Sequence, residues 1–143
     1  MSLVKKYGKT ALVAGASEGI GAAFANHLAV EGMDLILIAR RKEPLQHLAD
    51  LLTTKYKIQV TCIPCDLADP SATQHIQTEL AGKEIDLMVY NAALSYIGAF
   101  EKNTVENNNQ IAMTNMVTPM NMAYFLEKKC YKKSVVLLFL WLL

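Results

Sequence analysis

Seven residues near the N-terminus, Gly15-Ala-Ser-Glu-Gly19-Ile-Gly21, constrain this chain more than any other feature. They follow a short apolar run, Thr10–Ala14, and lead into a segment where Ile20, Phe24 and Leu28 recur at four-residue spacing. The run reads as a strand and the recurrence as a helix, so the glycines lie on a strand-to-helix turn. Gly15 permits the tight turn out of the strand. Gly19 lets the backbone approach a ligand where a Cβ would collide, and Gly21 lets helix and strand pack closely. Backbone N–H groups at the helix start, with the helix dipole, then face an anion. Ser17 adds a hydroxyl donor. The turn is therefore expected to hold the pyrophosphate of a dinucleotide through Gly15, Ser17, Glu18, Gly19, Ile20 and Gly21.

The rest of the chain repeats this alternation. Continuous apolar runs recur at Leu35–Ala39, Ile58–Ile63, Leu87–Tyr90 and Val135–Leu143. Runs of this length read as strands buried on both faces. Helical stretches lie between them. Gly32 stops the first, and the second starts near Pro44 with Leu45, Leu48, Leu51 and Leu52 on one face. The third follows Asp69 as N-cap and Pro70 as first helical residue, and carries Ile76 and Leu80. A long fourth, roughly Val105–Lys129, carries Ile111, Met113, Met116, Val117, Met120 and Ala123. The order predicts right-handed crossovers and an α/β fold, a three-layer Rossmann-type doubly wound parallel sheet. The chain has 143 residues, with no internal repeat and no linker-like stretch, so one dinucleotide-binding domain over 1–143 is expected.

The end of the second strand bears on which dinucleotide binds. An NAD(H) site places Asp or Glu there to accept from the ribose 2′-OH, and such a carboxylate would repel a 2′-phosphate. This chain has Arg40 and Arg41 instead. A guanidinium holds a phosphate bidentately, so both are expected to contact NADP(H), with NAD(H) the lesser alternative. Glu18 counts the other way, since a base there would have helped hold the phosphate.

Charge and cysteine content narrow the partners. The net charge is +1, so no general attraction to nucleic acid or an anionic membrane is implied. The composition, 52% hydrophobic and 19% charged, is that of a globular chain rather than a disordered one. Cys62, Cys65 and Cys130 do not make a disulfide framework, and the first residues lack the apolar core of a signal peptide; both favour a reducing cytoplasm. The Cys62-x-x-Cys65 pair sits within and just after a strand-like run and is read as structural. His27, His47 and His75 lack metal-ligand patterning, so no metal site is expected. The nine apolar residues Val135–Leu143 fall short of the roughly 20 that a bilayer-spanning helix needs.

Residues 8–120 resemble the short-chain dehydrogenase/reductase family. The glycine turn is similar to that family's cofactor turn. Cys65-Asp66-Leu67 is similar to its adenine contact, which implies that Asp66 accepts from the adenine amino group and that Leu67 lies beside it. Tyr90-Asn91-Ala92-Ala93 resembles its Asn-Asn-Ala-Gly motif, with Tyr90 and Ala93 as departures, and implies that Asn91, Ala92 and Ala93 line the cofactor ribose. Asn115 resembles the catalytic-helix Asn that holds a water in the proton relay.

The resemblance implies hydride transfer between nicotinamide and a carbonyl or alcohol. In that chemistry a Ser steadies the carbonyl oxygen, and a Tyr exchanges the proton with a Lys four residues on lowering its pKa. The family places those residues after the fifth strand; counting from Asn115, the Ser would fall near Leu142. Tyr124 and Lys128 have the Tyr-x-x-x-Lys spacing but precede that strand, so they are discounted. The chain is accordingly expected to be C-terminally truncated after about the fifth strand and inactive alone. The alternative is a non-catalytic protein that binds dinucleotide or self-associates as a homo-oligomer, because a shortened sheet leaves a hydrophobic edge.

Overall fold

Three runs of this protein, Thr10–Ala14, Asp34–Ala39 and Leu87–Tyr90, carry buried side chains on both of their faces, and that pattern calls for a sheet covered by helices on either side. The computed structural model describes residues 2–129 and 136–139. In chain order the elements are α1 (Leu3–Tyr7), β1 (Thr10–Ala14), α2 (Gly19–Val30), β2 (Asp34–Ala39), α3 (Lys42–Tyr56), β3 (Val60–Pro64) and α4 (Ala72–Glu79). Then follow β4 (Leu87–Tyr90), a single 3-10 turn (Phe100–Lys102), α5 (Val105–Ala112), a π-helical segment (Met113–Val117), α6 (Thr118–Lys129) and β5 (Val136–Phe139). The strands form one sheet in the order β3-β2-β1-β4-β5. Every pairing is parallel. The chain moves outward from β1 to β3, then returns to the other side of β1, so the sheet is doubly wound as expected.

Side-chain alternation splits the core in two. Ala11, Val13, Leu35, Leu37, Leu87 and Val89 face Ala25, Leu28, Leu45, Ala49 and Leu52 of α2 and α3. Leu12, Ala14, Ile36, Ile38, Met88 and Tyr90 face Ala72, Ile76, Met122 and Leu126 of α4 and α6. Full burial of a side chain such as Leu12 or Ile38 contributes about 1.5–3 kcal/mol.

Two aspartates fasten the ends of the strands opposite the glycine turn. Asp86 Oδ2 accepts from the backbone N–H groups of Lys9 at 2.8 Å and Thr10 at 3.0 Å, which ties the start of β1 to the start of β4. Asp34 Oδ1 accepts from Gln59 N at 2.9 Å and lies 3.5 Å from Lys9 Nζ.

The structure moves several expected boundaries. β3 runs over Val60–Pro64 rather than Ile58–Ile63, because the ladder with β2 starts at Leu35 opposite Val60. Asp69 does not cap α4. Its Oδ1 accepts from both the backbone and the hydroxyl of Ser71, at 2.7 Å each, in a local turn, and the helix starts after Ser71. That pair of bonds also holds the Asp69 carboxyl below its ordinary pKa.

Gly32 does terminate α2. At φ +83° it follows the helix, and Met33 N closes back on Leu28 O at 3.1 Å. The long fourth helix is not uniform, since the π segment interrupts it between α5 and α6. α1 was not expected; Leu3 and Val4 pack against the α2–α3 side of the core. Of the run Val135–Leu143, Val136–Phe139 forms β5; its other residues, Leu142 among them, and Cys130 lie outside the described residues.

Candidate functional site

The carboxyl ends of β1, β2, β3 and β4 open onto a cleft of about 290 Å³. In a doubly wound sheet this is where the strand order reverses and ligands bind. Its walls include Gly15, Ser17, Glu18, Arg40, Asp66, Leu67, Asn91, Ala92 and Ala93. Nine of the expected site residues thus meet at one place. Gly19, Ile20 and Gly21 form the first turn of α2. Arg41 and Asn115 are not part of the wall.

The glycines divide their tasks. A Cβ on Gly15 would lie 2.7 Å from Ala92 N, and its φ of +80° disfavours a side chain as well. A Cβ on Gly21 would overlap the Gly15 carbonyl oxygen, so α2 approaches β1 more closely than any side chain allows. Gly19, at φ +57°, has no protein atom within 4 Å of its Cβ position. The space in front of it is free for a ligand. Glu18 is the N-cap residue of α2, yet its side chain makes no cap hydrogen bond, which leaves the helix start open to an anion.

The acid and base residues at the rim are arranged unequally. Arg40 lines the cleft and has no ion-pair partner among the described residues. Arg41 Nη2 instead donates to Glu18 Oε2 at 2.8 Å, which turns the second arginine along the rim. Asp66 is exposed, with Oδ1 accepting from Ala68 N at 3.1 Å. Asn91 Oδ1 is buried and has no hydrogen-bond partner among the described residues. An acceptor in that state calls for a donor that the protein does not supply. The bare helix start, the room beside Gly19 and the unpaired Asn91 oxygen together fit a phosphate- and hydroxyl-bearing ligand such as a dinucleotide.

Asn115 acts on the cleft from behind. It lies on the π segment, where its Oδ1 accepts from Leu94 N and its Nδ2 donates to Leu94 O, both at 2.8 Å. Tyr90 Oη donates to Thr114 O at 2.6 Å, and Thr118 Oγ1 donates to Leu67 O at 2.9 Å. Three side chains thus stitch the π segment and its flank to the end of β4 and to the loops after β3 and β4. Burial raises the Tyr90 phenol well above its ordinary pKa, so this departure from the family motif is a neutral structural donor.

Burial, with Asp66 and Asp69 adding to it, pushes the Cys65 thiol up to about 11, and burial with Asp50 raises Cys62. Thiols held protonated suit the structural reading of the pair. The three histidines are exposed on helices, and no metal-binding cluster occurs among the described residues. Tyr124 and Lys128 sit on α6 with Lys128 Nζ 4.5 Å from the ring centre, and neither lines the cleft. Among the described residues, no helix is long and apolar enough to cross a membrane.

Sequence reasoning missed Tyr96 and Gln110 in the cleft wall, joined by a 3.1 Å hydrogen bond. No spacing in the sequence brings them together. Thr114, also in the wall, could have been found as the neighbour of Asn115.

Comparison with known proteins agrees with this geometry. The family described as short chain dehydrogenase matches residues 9–134. The chain is 33% identical over 128 residues to a 7beta-hydroxysteroid dehydrogenase of Mediterraneibacter gnavus, covering 90% of this chain and 49% of that protein. It is 37% identical over 89 residues to the very-long-chain 3-oxoacyl-CoA reductase of Homo sapiens, covering 62% of this chain and 28% of that one. Among solved structures, a short-chain dehydrogenase from Sphingobium yanoikuyae in complex with NADPH superposes with a TM-score of 0.86 at 27% identity, over 92% of this chain and 52% of that one. The chain spans about half the length of the first of these relatives. It belongs to the short-chain dehydrogenase family of oxidoreductases, whose members bind nicotinamide dinucleotides.

Proposed function

We propose that this chain is the cofactor-binding portion, one domain over 1–143, of an NADP(H)-dependent oxidoreductase that transfers hydride between nicotinamide and a carbonyl or alcohol substrate. The observation that carries the reading is Arg40: an unpaired guanidinium lines the cleft at the end of β2, where an NAD(H) site would place a carboxylate. When bound, the nicotinamide donates or accepts the hydride. The chain's own residues bind and orient. The open start of α2 and the N–H groups from Gly15 to Gly21 face the pyrophosphate, and Ser17 adds its hydroxyl. Arg40 holds the 2′-phosphate. Asp66 and Leu67 receive the adenine, and Asn91, Ala92 and Ala93 line a ribose. Asn115 enters this reading through the water that the family's proton relay places beside it; its side-chain amide, engaged with Leu94 through both oxygen and nitrogen, holds the loop. The solved relative bound to NADPH supports the choice of cofactor. The odd number of cysteines, three, supports a reducing, cytoplasmic setting.

Fluorescence titration tests the assignment. NADPH is expected to bind more tightly than NADH. Arg40→Asp should weaken NADPH by about 10- to 100-fold, as loss of a charged hydrogen-bond partner does, and narrow or invert the preference. Equal affinity of the unmodified chain for both cofactors would overturn the NADP(H) reading.

A second reading, dinucleotide binding without catalysis and with self-association, is favoured by one surface. Met116, Met120 and Tyr124 follow at four-residue spacing along the end of the π segment and α6, with exposures of 57%, 66% and 63%. Light scattering at high concentration is expected to show dimers or larger species; a clean monomer counts against this reading.

A further inference from the structure

We propose that Glu18 weakens the discrimination of this cleft for a 2′-phosphate by holding Arg41 away from it. The inference rests on the NADP(H) reading above and adds a residue that limits it. Glu18 lines the cleft and occupies the N-cap position of α2, but its carboxylate caps nothing. It crosses 23 residues of sequence to accept from Arg41 Nη2 at 2.8 Å. Arg41 is in turn the N-cap residue of α3, so the pair bridges the starts of the two helices on one face of the sheet. The Glu18 and Arg41 side chains are 77% and 53% exposed. Such a pair adds little to stability. Its consequence is electrostatic and local.

Two adjacent guanidiniums are available at the end of β2, and only one of them is free. Arg40 faces the cleft unpaired, whereas Arg41 is neutralised. A phosphate monoester dianion arriving at Arg40 has two routes. It can leave Arg41 with Glu18 and bind a single guanidinium. Alternatively it can draw Arg41 away, which leaves a bare carboxylate facing the phosphate. Both routes give weaker binding than a neutral residue at position 18 would allow. NADH carries a 2′-hydroxyl and no charge at that place, so the Glu18–Arg41 pair bears on the phosphorylated cofactor more than on NADH, while the pyrophosphate near Glu18 is common to both.

The test uses Glu18→Gln in the full chain, with NADPH and NADH titrated by fluorescence. The ratio of NADPH to NADH affinity should rise by about 5- to 10-fold over the unmodified chain, with the larger gain on NADPH. The gain should shrink in about 1 M salt, where exposed charges are screened. Adding Arg41→Ala to Glu18→Gln should remove the gain, because the freed guanidinium is its source. Unchanged NADPH affinity in Glu18→Gln, an equal gain for both cofactors, or a gain that survives Arg41→Ala would overturn the inference and leave the NADP(H) reading standing. An unmodified chain that binds NADH as tightly as NADPH would overturn that reading, and this inference with it.

Discussion

Gly21→Ala is expected to lower stability by about 2–4 kcal/mol, a fall in Tm of about 10 °C for a chain of this size, and to abolish measurable cofactor binding. The cause is contact between backbones. The added methyl would overlap the Gly15 carbonyl oxygen and lie 2.8 Å from the Gly15 carbonyl carbon, with Asn91 Nδ2 at 3.1 Å on its other side. The two nearest of these atoms belong to the backbone and cannot step aside as the Asn91 amide could. α2 must therefore tilt away from β1, and the glycine turn moves with it.

Gly19→Ala is the control. Its Cβ would meet no protein atom within 4 Å, so the cost is only the left-handed backbone at φ +57°, about 1–2 kcal/mol. Thermal melting should rank Gly21→Ala well below Gly19→Ala, while both lose NADPH affinity. A Gly21→Ala melt within about 2 °C of the unmodified protein would contradict the packing account.

Asn115→Leu is expected to cost about 2–4 kcal/mol, because it strands the N–H and the carbonyl of Leu94 together. Both bonds are 2.8 Å long and partly buried, and leucine replaces neither. The loss should be local before it is global. The loop after β4, which contributes Ala92, Ala93, Leu94 and Tyr96 to the cleft, would be released from the π segment. Amide hydrogen exchange at Leu94 should rise sharply under conditions where the centre of β1 remains protected. Unchanged exchange at Leu94 would show that the hydrogen bonds to Asn115 do not hold the loop.

Much of this architecture was legible in the sequence, for a definite reason. Strands buried on both faces leave continuous apolar runs, and a helix packed on a sheet leaves a 3.6-residue period, so β1, β2, β4, α2 and α3 could be placed from one-dimensional pattern alone. The glycine turn was legible because strand, turn and helix are contiguous. The π segment was not. Its wider turn leaves the hydrophobic spacing of a long helix nearly intact, so residues 105–129 read as one regular element. Pairings distant in sequence were equally silent. Nothing near Asp86 announces that it will bind Lys9 and Thr10, and nothing near Arg41 points to Glu18. In sequence Arg41 is indistinguishable from its neighbour Arg40; only the folded rim shows the two arginines parting.

The aspartate fastenings beneath the sheet carry a consequence for how such a chain can change over generations. Asp86 and Asp34 secure the strand starts, whereas the cleft lies at the opposite ends, where Gln110 and Thr114 join it from the helices. Selection can therefore act on the two rims almost separately. Drift among cleft loops leaves the fastening in place, and drift below leaves the ligand contacts untouched. A scaffold divided in this way can acquire new specificities without first becoming unstable, as befits a fold that hosts many reactions.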